Sequence, residues 1–178
     1  MSTASKSYAK LLEYEQRALG AEEEVSSGEQ GDWAGLAFRV SDMSLVCATN
    51  RIHESLPLPR VTRVPGTKPF ILGLANVRGN LVTVVDLGGY LYGSPTPVTG
   101  SSRLLLATLR GRPVGLLVDE VHGQRNFMSG DADSPEIREA SPWYALVRKQ
   151  HRAGSETWQE LDLPLLFGQP EFLDGAAD

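Results

Sequence analysis

Three carboxylates stand where acid/base chemistry would want them. Asp86 closes one apolar run and Asp119-Glu120 closes another. Carboxylates facing each other across a cleft would serve a hydrolase as acid and base. Their spacing does not require a cleft, because an acidic residue at a strand end commonly caps a turn or faces water. His53, His122 and His151 are far apart and none belongs to a His-x-x-x-His pair, so no metal site is read from them. Cys47 is the sole cysteine, which excludes an intramolecular disulfide and a thiolate zinc site built from this chain alone. LGGYLYG lacks both the GxGxxG and the GxxxxGK[ST] spacing, and no GxSxG nucleophile elbow occurs. These exclusions leave a binding module that needs no cofactor and no metal.

The remaining chemistry lies in LANVRGNLVTVVDL, residues 74–87. Leu74 to Val77 and Leu81 to Val85 are apolar runs separated by Arg78, Gly79 and Asn80. Gly79-Asn80 readily takes the positive φ values of a tight turn, so the stretch reads as strand, turn, strand. An arginine beside such a turn, with Asn76 two residues before it, is either a solvated edge charge or a contact residue.

The elements that must hold this hairpin are short strands. Leu36, Phe38 and Val40 alternate with Ala37 and Arg39, and Met43, Leu45 and Cys47 alternate after a Ser41-Asp42 break. A third strand begins at Ile52 and stops at Pro57 and Pro59, because proline cannot donate into a central ladder. Val64-Pro65-Gly66 turns the chain, and Ile71 to Val77 with Leu81 to Asp86 complete a set of five. GSPTPVTGSS, residues 93–102, has linker composition. The pattern then begins again with Leu104 to Leu109, Val114 to Val118, Gln124 to Phe127, Tyr144 to Lys149 and Thr157 to Leu161. Two sets of five strands predict an all-β chain of two small barrels, about 33–92 and about 102–172. The loop 128–142 is long and polar, and LPLLFG at 163–168 predicts one short helical turn.

Before Trp33 the pattern differs. Tyr8, Leu11, Leu12, Ala18 and Leu19 place an apolar stripe on a helix over 5–19, and EEEVSSGEQGD at 22–32 has the composition of a flexible linker. The division expected is an N-terminal helix and linker at 1–32 followed by the barrels at 33–178.

Net charge is −5 with a pI near 5.2, which argues against nucleic-acid binding because a phosphate footprint needs clustered Lys and Arg. The longest apolar runs are about six residues, far below the ~18 that span a bilayer, so no direct membrane insertion and no signal peptide are expected.

Residues 33–172 resemble the CheW family of chemotaxis adaptors. GLANVRGNLVTVVDL is similar to that family's G-x-x-N-x-R-G-x-x-x-x-x-x-D-L hairpin, and GLLVDEVHG is similar to its matching piece in the second barrel. The helix before Trp33, VPGTK at 64–68 and the wording LANVRG make the chain most similar to the type IV pilus (twitching motility) branch of the family. Pro113 and the Gly-Arg-Pro turn depart from the general pattern, and WYALVRKQHRAG matches it only loosely.

The resemblance implies two intertwined SH3-like five-stranded barrels. It implies a non-enzymatic adaptor joining the cytoplasmic tip of a methyl-accepting chemoreceptor to the regulatory domain of a CheA-type histidine kinase. Such a protein is cytoplasmic and recruited to membrane-associated receptor arrays. It also implies a receptor-binding cleft in which Arg78 meets Glu54. Ile52 and Val77 supply the apolar contact there, Asn76 shapes the hairpin, and Gly73 and Gly79 let the partner approach the backbone. Two other classes remain readable from the residues: the acid/base hydrolase above, and a stand-alone SH3-like peptide-binding module with an aromatic groove. A chain starting at Gly31 is expected to keep one cooperative melt, because the linker 22–32 separates the first helix from the barrels. A molten or insoluble product in a thermal scan would place residues 1–30 in the core.

Overall fold

Two-residue hairpins set the architecture. The computed structural model describes residues 33–128, 130, 132–133 and 143–176. The expected helix over 5–19, the linker 22–32 and most of the loop 128–142 lie outside the described residues. Strands β1 (Trp33–Val40) and β2 (Met43–Ala48) pair antiparallel, with Val40 opposite Met43. A 3-10 turn at Thr49–Arg51 leads to β3 (Glu54–Pro57) and β4 (Val61–Thr62). Strands β5 (Ile71–Val77) and β6 (Asn80–Asp86) form the second hairpin, followed by helix α1 (Leu87–Tyr92). The third hairpin is β7 (Arg103–Leu109) and β8 (Arg112–Val118). After β9 (Glu120–Phe127) and β10 (Ala132–Asp133), β11 (Val147–Ala153) and β12 (Glu156–Leu161) make the fourth. Helices α2 (Leu163–Phe167) and α3 (Pro170–Ala176) follow.

The chain is all-β with two SH3-like barrels, each built on one six-stranded sheet: β10-β11-β12-β2-β1-β9 and β3-β7-β8-β6-β5-β4. All ten expected strands form, and the two-residue strands β4 and β10 extend each set to six. Several boundaries differ. The third strand starts at Glu54, Ile52 being the residue that ends the 3-10 turn. Tyr144–Leu146 is a 3-10 turn, so the strand expected from Tyr144 begins at Val147. The turn of the second hairpin is Arg78-Gly79, with φ of 50° and 83°, and Asn80 already pairs with Val77. The reason is local: the Asn76 Oδ1 accepts the Gly79 N–H at 2.8 Å and draws the turn one residue earlier than Gly79-Asn80.

The pairing does not follow the two sequence halves. Strands β1 and β2 join β9–β12 through an antiparallel ladder of β1 with β9, in which Trp33 lies opposite Phe127, and a parallel contact of β2 with β12, in which Leu45 lies opposite Gln159. Strands β7 and β8 join β3–β6 through a parallel contact of β8 with β6, in which Val114 lies opposite Thr83. The first hairpin of each half is thus exchanged into the other half's sheet, and the two sheet orders correspond strand for strand. The division at about 92 and 102 therefore does not separate the barrels.

The exchange follows from residues buried on both faces. On β7 and β8, Leu104 and Leu117 fill one barrel with Ala75 and Val84, while Leu105 and Leu116 point into a cluster shared with Phe38, Leu45 and Cys47 of the other sheet. Ala37, Val46, Phe127 and Trp158 fill the second barrel. Each fully buried Leu or Phe contributes roughly 1.5–3 kcal/mol, and the shared cluster is much the largest. Pro113 is tolerated near the start of β8 because the parallel ladder to β6 begins only at Val114.

Cys47 reports on this arrangement. It lies in the shared cluster on β2, and burial pushes its thiol up to about 12. In the intact chain the thiol should resist a disulfide reagent at pH 8. In a fragment of residues 33–92, which lacks β7 to β12, it should react at the rate of an unfolded peptide. Slow reaction in that fragment would show that the first half folds alone.

Candidate functional site

The expected Glu54–Arg78 pair is present. Leu56 and Leu106 pack on the interior cluster of their barrel, and Glu54 lies opposite Leu106 and two residues before Leu56. That parity puts Glu54 on the interior side at the rim. In the order β3-β7-β8-β6-β5-β4, the edge strand β3 and the β5–β6 hairpin are separated by β7 and β8. Arg78 spans them as the sheet curls: its Nη1 and Nη2 donate to the Glu54 Oε2 and Oε1, both at 2.5 Å. The Glu54 side chain is 29% exposed and that of Arg78 is 74% exposed. The carboxylate, by hydrogen bond and charge, raises the pKa of the guanidinium. A fork of this kind uses two of the five guanidinium donors and leaves the others facing solvent.

The remaining site residues divide. Asn76 shapes the turn through its bond to Gly79, and nothing lies within 4 Å of where a Gly79 side chain would start. Gly73 does not serve a partner's approach. It has φ of 137°, and a Cβ there would sit 2.0 Å from the Thr62 carbonyl oxygen, so the neighbouring strand β4 occupies the space. Val77 is buried, on the interior side with Ala75, and Ile52 is half-buried against the shared cluster. An exposed apolar residue of the same hairpin is Leu81, 62% exposed and opposite Asn76 on the outer face of β6. Sequence reasoning missed the exposure of Leu81, because an apolar residue inside an apolar run signals a strand interior.

The carboxylates of the hydrolase reading are engaged in structure. Asp86 is buried and caps α1, accepting from the Gly89 N–H at 3.0 Å, the Thr96 N–H at 2.8 Å and the Thr96 hydroxyl at 2.5 Å. This ties down the stretch 93–102 that reads as linker. Asp119 accepts from the Ser41 N–H at 2.7 Å and faces Arg39, which also lies 3.7 Å from Glu120. Asp162 repeats the role of Asp86 in the other barrel: it caps α2 through the Leu165 N–H and binds Arg148. One cleft of ≈ 170 Å³ lies beside Arg51, Arg148 and Asp162, and another of ≈ 360 Å³ follows the loop from Arg63 to Pro69. Neither is lined by Asp86, Asp119 or Glu120. Among the described residues no group of His, Cys, Asp and Glu could hold a metal ion. Among the described residues many aromatic rings pack on one another, as in the edge contacts of Tyr90 with Phe70 and Phe172.

Residues 34–171 match the family described as the CheW-like domain. The sequence is 33% identical over 129 residues to Protein PilI of Pseudomonas aeruginosa, spanning 71% of this chain and 72% of that protein. It is 28% identical over 99 residues to the Chemotaxis protein CheW of Bacillus subtilis, spanning 56% of this chain and 61% of that one. The crystal structure of scaffolding protein TtCheW from Thermoanaerobacter tengcongensis shares the fold, with a TM-score of 0.67 at 22% identity over 78% of this chain and 94% of that chain.

Asp86→Ala is expected to lower stability in urea titration by about 2–3 kcal/mol, through the lost cap and the stranded Thr96 N–H. Asp119→Ala, at a partly exposed position, should cost about 1 kcal/mol or less. Equal effects would contradict the structural role given to Asp86.

Proposed function

Because the chain belongs to the CheW-like domain family, we propose that it is a non-enzymatic adaptor coupling methyl-accepting chemoreceptors to a CheA-type histidine kinase in a pathway that controls type IV pilus twitching. The observation that carries this reading is the exposed Arg78 held by Glu54 at a barrel rim, with Leu81 exposed on the outer face of the same hairpin. An exposed ion pair contributes little to folding. The arginine also occupies a left-handed conformation that asparagine or glycine would take more easily. A residue retained against local preference, with unused donors facing solvent, suits recognition of a partner's acceptors. The likeness to PilI supports the pilus branch.

The mechanism is linkage. The rim bearing Arg78, Asn76, Gly79 and Leu81 takes the receptor tip, Ile52 and Val77 support that rim from within, and the barrel of β9–β12 takes the kinase. Because the exchanged hairpins and the shared cluster join the two barrels, holding both partners fixes their relative position and so sets kinase output. No cofactor enters. The protein works in the cytoplasm at receptor arrays, in keeping with the absence, among the described residues, of any helix long and apolar enough to cross a membrane.

Arg78→Glu should abolish capture of a receptor-tip fragment and spare kinase capture, with the melting midpoint within a few degrees of the parent. The exchange Glu54→Arg with Arg78→Glu rebuilds the pair with inverted charge, and receptor binding should remain lost. Recovery of binding by the exchange would make the pair structural only. Undiminished binding by Arg78→Glu would remove the rim from the receptor site.

A further inference from the structure

A second arginine occupies the same rim. Four hairpins among the described residues have two-residue turns, and the first turn residue has positive φ in each: Ser41 at 56°, Arg78 at 50°, Arg110 at 49° and Gly154 at 65°. The exchanged strand orders make the β7–β8 turn correspond to β1–β2, and β5–β6 to β11–β12. The fold therefore demands a left-handed residue at these places but not an arginine, since Ser41 and Gly154 meet the same demand in the other barrel. Both arginines fall on one barrel. Because β6 and β8 run parallel, with Thr83 opposite Val114, their turns emerge at the same end of the sheet. In the order β7-β8-β6-β5 the turn centres are two strand spacings apart, about 10 Å. Arg110 is exposed and has no side-chain partner among the described residues.

The charge of the segment that carries this barrel's strands is segregated. Residues 54–118 contain seven Lys and Arg against two carboxylates, Glu54 and Asp86. Glu54 is paired with Arg78 and Asp86 is buried. The segment thus carries +5 in a chain of −5, which leaves the other residues at −10. Such a field draws a negatively charged partner to this barrel, while the rest of the molecule is repelled by an anionic bilayer.

From the paired turns and this charge we infer that Arg78 and Arg110 form a two-point cationic clamp for an acidic helical face of the partner, with carboxylates about two helical turns apart. Two turns of α-helix rise about 11 Å, matching the separation of the hairpin turns. The clamp rests on the receptor reading of this rim and adds to it the chemistry of the partner's face.

The test measures binding of a receptor-tip hairpin fragment to wild type, Arg110→Ser and Arg110→Lys at low and high salt. Melting midpoints and binding to phosphatidylglycerol vesicles are measured in parallel. Serine copies Ser41 of the corresponding turn, so the fold should be kept and the midpoint should not fall. Binding by Arg110→Ser should weaken roughly three- to five-fold at low salt, with the difference closing at high salt. Arg110→Lys should retain most of the affinity. Wild-type affinity in Arg110→Ser, with Arg78→Glu still defective, would overturn the clamp and leave the receptor site standing. No binding by wild type would remove both. Vesicle binding that is lost in Arg110→Ser while fragment binding is unchanged would assign Arg110 to lipid and overturn the clamp.

Discussion

The exchange of hairpins between sheets is the constraint on which the rest depends. Each barrel takes in a strand pair from the other half of the sequence, held by a parallel contact on one side, β6 with β8 and β12 with β2, and an antiparallel one on the other, β3 with β7 and β9 with β1. Parallel pairing of distant segments brings no local turn to offset its loop-closure cost, so burial must drive it. The shared cluster supplies that burial with Phe38, Leu45 and Cys47 from one sheet and Leu105, Val114 and Leu116 from the other. A consequence is mechanical, since tilting one barrel against the other would open the cluster that both sheets share. A linker between two large partners needs that stiffness.

Stiffness also explains the use of carboxylates. Asp86 and Asp162 each leave the second strand of a hairpin and cap the helix that follows. Asp86 further holds Thr96, fastening a Pro/Gly-rich connection to the sheet end. Acidic residues that look poised for chemistry in the sequence are engaged in holding chain ends. The exposed rim carries the chemistry left over: a guanidinium fork, a left-handed turn and an exposed leucine.

The repeat within the chain separates what the fold needs from what is added to it. Corresponding turns hold Ser41 and Gly154 in one barrel and Arg110 and Arg78 in the other, at nearly the same φ. Backbone geometry is common to both, whereas an arginine as the first turn residue belongs to one. The Glu54–Arg78 pair likewise links an edge strand to a distant hairpin across the barrel rim.

The residues by themselves determined the strands and most turns, because side-chain alternation and turn chemistry are local and act within a few residues. They also determined that Arg78 sits against a hairpin turn and that LPLLFG forms a helical turn. Which sheet each hairpin joins was decided only in three dimensions. Alternation says which face a residue takes but not which backbone lies beside it, and runs such as LLLATL and VGLLV, buried on both faces, suit either core. Gly73 shows the same limit: its sequence context cannot reveal that Thr62 of β4 lies where a Cβ would be. Asp86 shows it again, since its partner Thr96 comes from a stretch with linker composition. Backbone hydrogen bonds have the same chemistry at every position, so only the packing of whole sheets selects among the pairings the sequence allows.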